Sequence, residues 1–147
     1  MENFIKIRNA GPEDMEAIFA FICELEEISY DFNLFKRFYL CNISNKENIY
    51  LVAVDELGKP IGFISCHGQV LLHHMGKVYE IQEMFVDRDH RNKGMGKLML
   101  RGLEKCLQNE DYVLLEVAVN SKRQDSREFY RKCGFEQTHL KFTKWDI

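Results

Sequence analysis

The strand-like run Val78-Tyr79-Glu80-Ile81-Gln82-Glu83-Met84-Phe85-Val86 leads through Asp87-Arg88-Asp89-His90 into Arg91-Asn92-Lys93-Gly94-Met95-Gly96-Lys97. Burying unpaired charge is costly, so the two carboxylates of a strand otherwise fit for burial either pair with basic side chains or do chemistry. A partly buried carboxyl with a raised pKa is suited to taking a proton. Strict alternation predicts Glu80, Gln82, Met84 and Val86 on one face and Tyr79, Ile81, Glu83 and Phe85 on the other. In the second stretch, glycines at a strand-to-helix junction let backbone N–H groups turn toward an anion. The helix N-terminus adds about half a positive charge, and Arg91, Lys93 and Lys97 bring full charges to the same place. This is the build of a pyrophosphate cradle, although a flexible strand-to-helix turn has the same composition. A P-loop is excluded because Lys97 is followed by Leu98, leaving no hydroxyl for magnesium. A dinucleotide fold is excluded because Met99 stands where a third glycine is needed and too little chain follows.

The elements that must position these residues are legible along the chain. Phe4 to Arg8 alternates as a short strand, and Gly11-Pro12-Glu13-Asp14 starts a helix with Met15, Ile18, Phe19, Ile22 and Leu25 at helical spacing. A second helix follows Ser29-Tyr30-Asp31, with Phe35, Phe38 and Tyr39 on one side. Ile49 to Val54 is a strand, Glu56 to Pro60 a turn, and Ile61 to Cys66 and Val78 to Val86 are further strands. Met95, Leu98, Met99, Leu103, Cys106 and Leu107 mark an amphipathic helix. Tyr112 to Val119 reads as a strand, Asp125 to Cys133 as a helix ended by Gly134, and Phe135 to Phe142 as a last strand. The order βααβββαβαβ predicts a mixed α/β fold, a single domain over 1–147 with a sheet flanked by helices.

Composition narrows the function classes. The 147 residues are 46% hydrophobic and 29% charged, as in a globular protein. The longest unbroken apolar run, Ala17 to Cys23, is seven residues, and a membrane span needs about 20. The first residues lack the basic start and apolar stretch of a signal peptide. Five scattered cysteines without a C-x-x-C pair argue against a disulfide framework or a zinc site. The expectation is therefore a cytoplasmic protein with no membrane partner. The net charge of −3 conceals a separation: segments 88–101 and 122–144 hold 12 Lys+Arg and 4 Asp+Glu, against 8 and 19 in the rest. Two local basic stretches in an acidic chain suit a small polyanion rather than nucleic acid.

R-x-x-G-x-G after a strand resembles the acetyl-CoA-binding motif R/Q-x-x-G-x-G/A of the GNAT N-acetyltransferase superfamily. The resemblance extends to Asn120, Ser126 and Phe129-Tyr130, similar to that family's second cofactor-contacting segment, and to the exit Cys133-Gly134-Phe135. It implies a GNAT fold with a mixed, mostly antiparallel sheet, acetyl-CoA as cosubstrate, and an amine as acceptor. Cofactor contacts would come from Met84, Phe85, Val86, the loop Arg91, Asn92, Lys93, Gly94, Met95, Gly96, Lys97, and from Asn120, Ser126 and Phe129. Glu80 lies 11 residues before Arg91, the offset at which many members carry their general base, with Glu83 the alternative. Tyr130 matches the tyrosine that protonates the departing thiolate.

A narrower resemblance, through Ile22-Cys23-Glu24-Leu25, His73-His74, Glu80 to Glu83, Lys122-Arg123, Phe129-Tyr130 and Glu136-Gln137 through Phe142-Thr143-Lys144, is to aminoalkylphosphonate N-acetyltransferases. It implies a small amine bearing a phosphonate as substrate. Arg123 and Lys122, with Lys141 and Lys144, could neutralise that group, Arg123 best because a guanidinium grips it with two parallel bonds. His73, His74 and His139, as also His67, could line the pocket. The resembled enzymes are helped by a divalent metal, but no ligand cluster in the sequence places one: His73 and His74 on a strand would face opposite ways. A homodimer is also among the expected partners. Competing readings are an acetyltransferase for a polyamine, an amino sugar or a protein amine, and a non-catalytic CoA-binding module.

Overall fold

The computed structural model describes residues 4–146. Its sheet runs β1 (Lys6–Asn9), β2 (Asn48–Val54), β3 (Pro60–Leu71), β4 (Gly76–Val86) and β5 (Leu114–Val117), in that spatial order. The first three pairings are antiparallel and β4–β5 is parallel. Helices α1 (Met15–Glu26) and α2 (Phe32–Ser44) cover one face, while α3 (Met95–Leu107) and α4 (Gln124–Lys132) cover the other. The expected mixed, mostly antiparallel sheet flanked by helices is what forms.

Local chemistry explains the boundaries. Pro12 sits in a single 3-10 turn before α1, and Asp31 caps α2 by accepting from the Asn33 N–H at 2.8 Å. The buried Asp14 carboxylate takes both arms of the Arg8 guanidinium, at 2.8 and 2.9 Å, and the Gly11 N–H at 2.8 Å. That fastens α1 to β1. Ile18, Val52 and Phe63 fill the layer under α1 and α2, and Ile64, Met99, Leu103 and Leu107 the layer under α3; all are fully buried.

Two expectations fail. The strand at Phe135 to Phe142 is absent: no described residue after Lys132 enters the sheet, and Leu140 and Phe142 are exposed. Alternation makes a strand only where an edge pairs with it, and this segment meets none. Alternation along β4 also breaks. Ser65 pairs with Glu83 but Cys66 with Ile81, so Gln82 is an extra residue, a β-bulge. The bulge turns Glu80 to the same face as Glu83 and Phe85, and leaves Tyr79, Ile81, Met84 and Val86 on the α3 side. The faces assigned to Glu80, Gln82, Met84 and Val86 together, and to Glu83 with Tyr79 and Ile81, are thereby corrected.

Candidate active site

The parallel pairing of β4 with β5 holds from Val78–Leu114 to Ile81–Val117 and then stops, while β4 continues to Val86. Beyond Gln82 that edge of β4 has no strand beside it among the described residues. That edge faces a cavity of about 420 Å³ walled by Met84, Phe85 and Val86, by Glu24, Leu25 and Glu27 at the end of α1, and by Arg91, Arg123 and Ser126. An extended amide-bearing chain could be bonded there as a strand would be.

The loop into α3 forms the rim. Asn92 (φ 61) and Gly94 (φ 79) are left-handed, and Gly94 caps the helix. The first bond into α3 is donated by Leu98 to the Gly94 carbonyl at 3.0 Å. Among the described residues the amides from Asn92 to Lys97 have no protein acceptor, and they gather at the positive end of a 13-residue helix. A Cβ on Gly94 would meet nothing within 4 Å, whereas one on Gly96 would meet the Phe129 ring at 3.2 Å. Open space, unsatisfied donors and the charges of Lys97 and of Lys93, whose ammonium donates to the Asp89 carbonyl at 3.1 Å, fit a pyrophosphate. Arg91 does something further. Its Nε donates to the Val86 carbonyl at 2.8 Å, its Nη2 lies 3.5 Å from Glu24, and its guanidinium sits over the Phe85 ring. It locks the loop to the end of β4 and to α1.

The β5–α4 segment closes the other side. The Asn120 side chain accepts from the Lys122 N–H at 2.9 Å, shaping the turn, and Arg123 Nη2 donates to the Leu25 carbonyl at 3.0 Å. A cation at the C-terminal end of α1 is also favoured by the helix dipole. Phe129 packs edge-on against Tyr130, and Tyr130 against Phe135. Tyr130 is buried, and burial pushes its phenol up to about 12.

On the α1–α2 face, Ser65 Oγ donates to Glu83 and accepts the Glu83 N–H at 3.0 Å. Glu80, half-buried, accepts from Gln82 Nε2 at 3.1 Å. Beside them Tyr50 accepts from Asn42 at 3.0 Å and shares a bond of 2.9 Å with His67 Nε2. Burial first, and the Glu83 charge second, push the Tyr50 phenol up to about 12. His67 pairs across the ladder with Glu80, and Glu116 on β5 is in register with Glu80. Tyr50, Ser65 and Glu116 escaped the sequence reading; only the bulge and the strand register, which join distant residues, reveal them.

The structure brings Met84, Phe85, Val86, Arg91, Ser126 and Arg123 to one cavity, while Glu80 and Glu83 lie earlier on β4 and outside its lining. Arg123 shares a cavity with Arg91 rather than standing apart from the cofactor loop. His73 and His74 lie elsewhere, in a 3-10 turn between β3 and β4 with their rings 4.4 Å apart. From there to Met84 is most of the length of β4, about 25 Å at strand rise. His139, Lys141 and Lys144 lie in the exposed segment after α4, and Lys122 is exposed at the start of that helix's turn. Among the described residues no three His, Cys, Asp or Glu side chains gather as a metal site, and no helix is long and apolar enough to cross a membrane.

A strand edge left open beside an anion-ready helix N-terminus can hold an extended, phosphate-bearing carrier, with carboxylates on the adjoining face. The acetyltransferase (GNAT) family model matches residues 14–135, and the chain belongs to that family. It is an N-acetyltransferase, and the family uses acetyl-CoA. The aminoalkylphosphonate N-acetyltransferase of Salmonella typhimurium is 33% identical over 139 residues, covering 95% of this chain and 90% of the relative. Among solved structures, a transcriptional regulator from Bacillus halodurans C-125 superposes with a TM-score of 0.88 at 16% identity, over 97% of this chain and all of that one. The aminoglycoside N-acetyltransferase AAC(6')-Iy in complex with CoA superposes at 0.86 and 14% identity, over 99% of this chain and 97% of that one. These last two share the fold.

Proposed function

We propose that this enzyme acetylates the primary amine of a small aminoalkylphosphonate. The observation that carries the reading is the 33% identity, sustained over 95% of the chain, to an enzyme named for that activity. The geometry is compatible with it. When bound, acetyl-CoA supplies the thioester carbonyl that the amine attacks. The amides of residues 92–97 and Lys93 and Lys97 hold its pyrophosphate, and the open edge at Met84 to Val86 bonds its amide arm.

The amine approaches from the α1–α2 face, where the Gln82 bulge sets Glu80 and Glu83 side by side. Glu80 takes the amine proton directly or through water; Glu83, already bonded to Ser65, holds the neighbouring polar wall with Tyr50 and His67. Positioned general bases contribute about 10²–10⁴-fold. A backbone N–H near Met84 aimed at the carbonyl oxygen contributes about 3 kcal/mol as charge develops there. Tyr130, protonated across the working pH range because burial raises its pKa, supplies a proton to the departing thiolate. Arg123, with Lys122, offers cations to the phosphonate at the cavity mouth.

The test is acetyl-CoA consumption over a panel of aminomethyl- and aminoethylphosphonate, simple alkylamines, a polyamine, an amino sugar and a lysine peptide. Turnover should be confined to the phosphonates. Turnover confined to the polyamine, sugar or peptide would replace the acceptor, and none with any amine would favour a CoA-binding module.

A further inference from the structure

The register of β3 against β4 changes beside a residue that carries a buried hydroxyl. Ser65 faces Glu83 on one side of the bulge and Cys66 faces Ile81 on the other, which leaves Gln82 between them without a partner in the ladder. Ser65 is fully buried. Its Oγ accepts the Glu83 N–H at 3.0 Å and donates to the Glu83 carboxylate. A serine hydroxyl has one proton to give and lone pairs to receive with. One oxygen therefore fastens both the backbone and the side chain of Glu83.

The direction of the Glu83 amide decides the direction of the next one. Along a strand, successive N–H groups point to opposite edges. The Glu83 N–H points to β3, and further along the Asp87 N–H points there too, donating to the Ile61 carbonyl at 2.8 Å. The Met84 N–H therefore points the other way, to the edge that borders the cavity. At the far end of this segment Arg91 Nε holds the Val86 carbonyl at 2.8 Å. Residues 83–86 are thus tied at both ends, by Ser65 where the open edge begins and by Arg91 where the strand ends.

We propose that Ser65 is a positioning residue for acetyl transfer: its hydroxyl fixes Glu83 at the bulge and so aims the Met84 N–H along the open edge. This rests on the reading that a backbone N–H near Met84 meets the thioester carbonyl oxygen. Being fully buried, Ser65 acts through Glu83 and not on the reactants. Without the hydroxyl, the Glu83 N–H loses that acceptor, and the peptide between Glu83 and Met84 is free to rotate. Phe63 and Phe85, buried and paired across the same two strands, keep β3 and β4 together in its absence. A small misplacement of a group that meets the transition state is expensive in rate.

The test compares the unaltered enzyme with Ser65→Ala and Ser65→Thr. Amide hydrogen exchange in the free enzyme, followed by NMR, should be at least about tenfold faster at Glu83 in Ser65→Ala and unchanged at Phe63 and Phe85. With ¹³C-carbonyl acetyl-CoA bound, the unaltered enzyme should lower the carbonyl stretch below its value in an apolar solvent, and Ser65→Ala should return it toward that value. With the amine of highest turnover, Ser65→Ala should lower kcat about tenfold or more while the stoichiometry of acetyl-CoA binding is unchanged. Ser65→Thr, which keeps the hydroxyl, should recover most of that loss. If Ser65→Ala does not fold, Ser65→Cys gives the same comparison, since it keeps the shape and replaces the oxygen by a weaker acceptor. A Glu83 amide that exchanges no faster, or a kcat that does not change, would overturn the role of Ser65. A carbonyl stretch lowered equally in Ser65→Ala would overturn it and leave the Met84 reading standing. No lowering in the unaltered enzyme would overturn that reading and the role of Ser65 with it.

Discussion

Glu80 and Glu83 differ in what holds them. Glu83 is tied to buried Ser65, while among the described residues the Glu80 carboxylate accepts a hydrogen bond from Gln82 alone, so Glu80 is the freer proton acceptor. Glu80→Gln should lower kcat/KM by about 10²-fold or more at neutral pH. The deficit should shrink as pH rises toward the amine's own pKa, because deprotonated amine then arrives without help. Glu83→Gln should act more weakly and with no such recovery; a pH profile of both variants decides, and reversed profiles would make Glu83 the base. Tyr130→Phe should reduce kcat and leave the acetyl-CoA KM nearly unchanged. With its phenol pushed up to about 12, the unaltered enzyme should show no alkaline loss from Tyr130 below about pH 11. Arg123 borders the same cavity as Arg91, so Arg123→Ala should weaken both acetyl-CoA and acceptor, read by calorimetry for the first and by KM for the second.

The elements fix these side chains through features of differing legibility. The helix starts at Pro12, Asp31 and Gly94 could be read directly, because capping and left-handed turns are local and written in residue type. The Gln82 bulge could not: it is set by which β3 residue faces which β4 residue, and its effect is to move Glu80 across the sheet. The arm after Gly134 alternates like a strand, but a strand exists only where an edge receives it. Two substitutions probe this scale. Gly96→Val forces the Phe129 ring out of the rim and should weaken acetyl-CoA binding at least tenfold, about 1.4 kcal/mol, with calorimetry as the measure. Arg8→Met leaves the Asp14 carboxylate buried without its main partner. Burial raises that carboxyl, but the Arg8 and Gly11 bonds overcome it and hold it below the usual 3.8. The pair therefore stabilises the fold above about pH 4 and is lost as pH falls below. Denaturant unfolding at pH 7 should show a loss of about 3 kcal/mol in Arg8→Met, and a smaller difference between variant and parent near pH 3.

Over the whole molecule, negative charge dominates the net −3, yet the cofactor loop and the α4 end are locally basic. That separation suits an anionic carrier at the loop, beside a cavity in which Arg91 and Arg123 stand with Glu24 and Glu27. If the phosphonate anchors the amine near Glu80, its binding energy is spent on orientation, so its loss lowers turnover as well as affinity. The most direct measurement is kcat/KM for aminoethylphosphonate against ethylamine with saturating acetyl-CoA. A ratio of about 100 or more, on the order of 3 kcal/mol, is expected, with part of it in kcat. Equal values for the two amines would contradict the assignment of an aminoalkylphosphonate as the substrate.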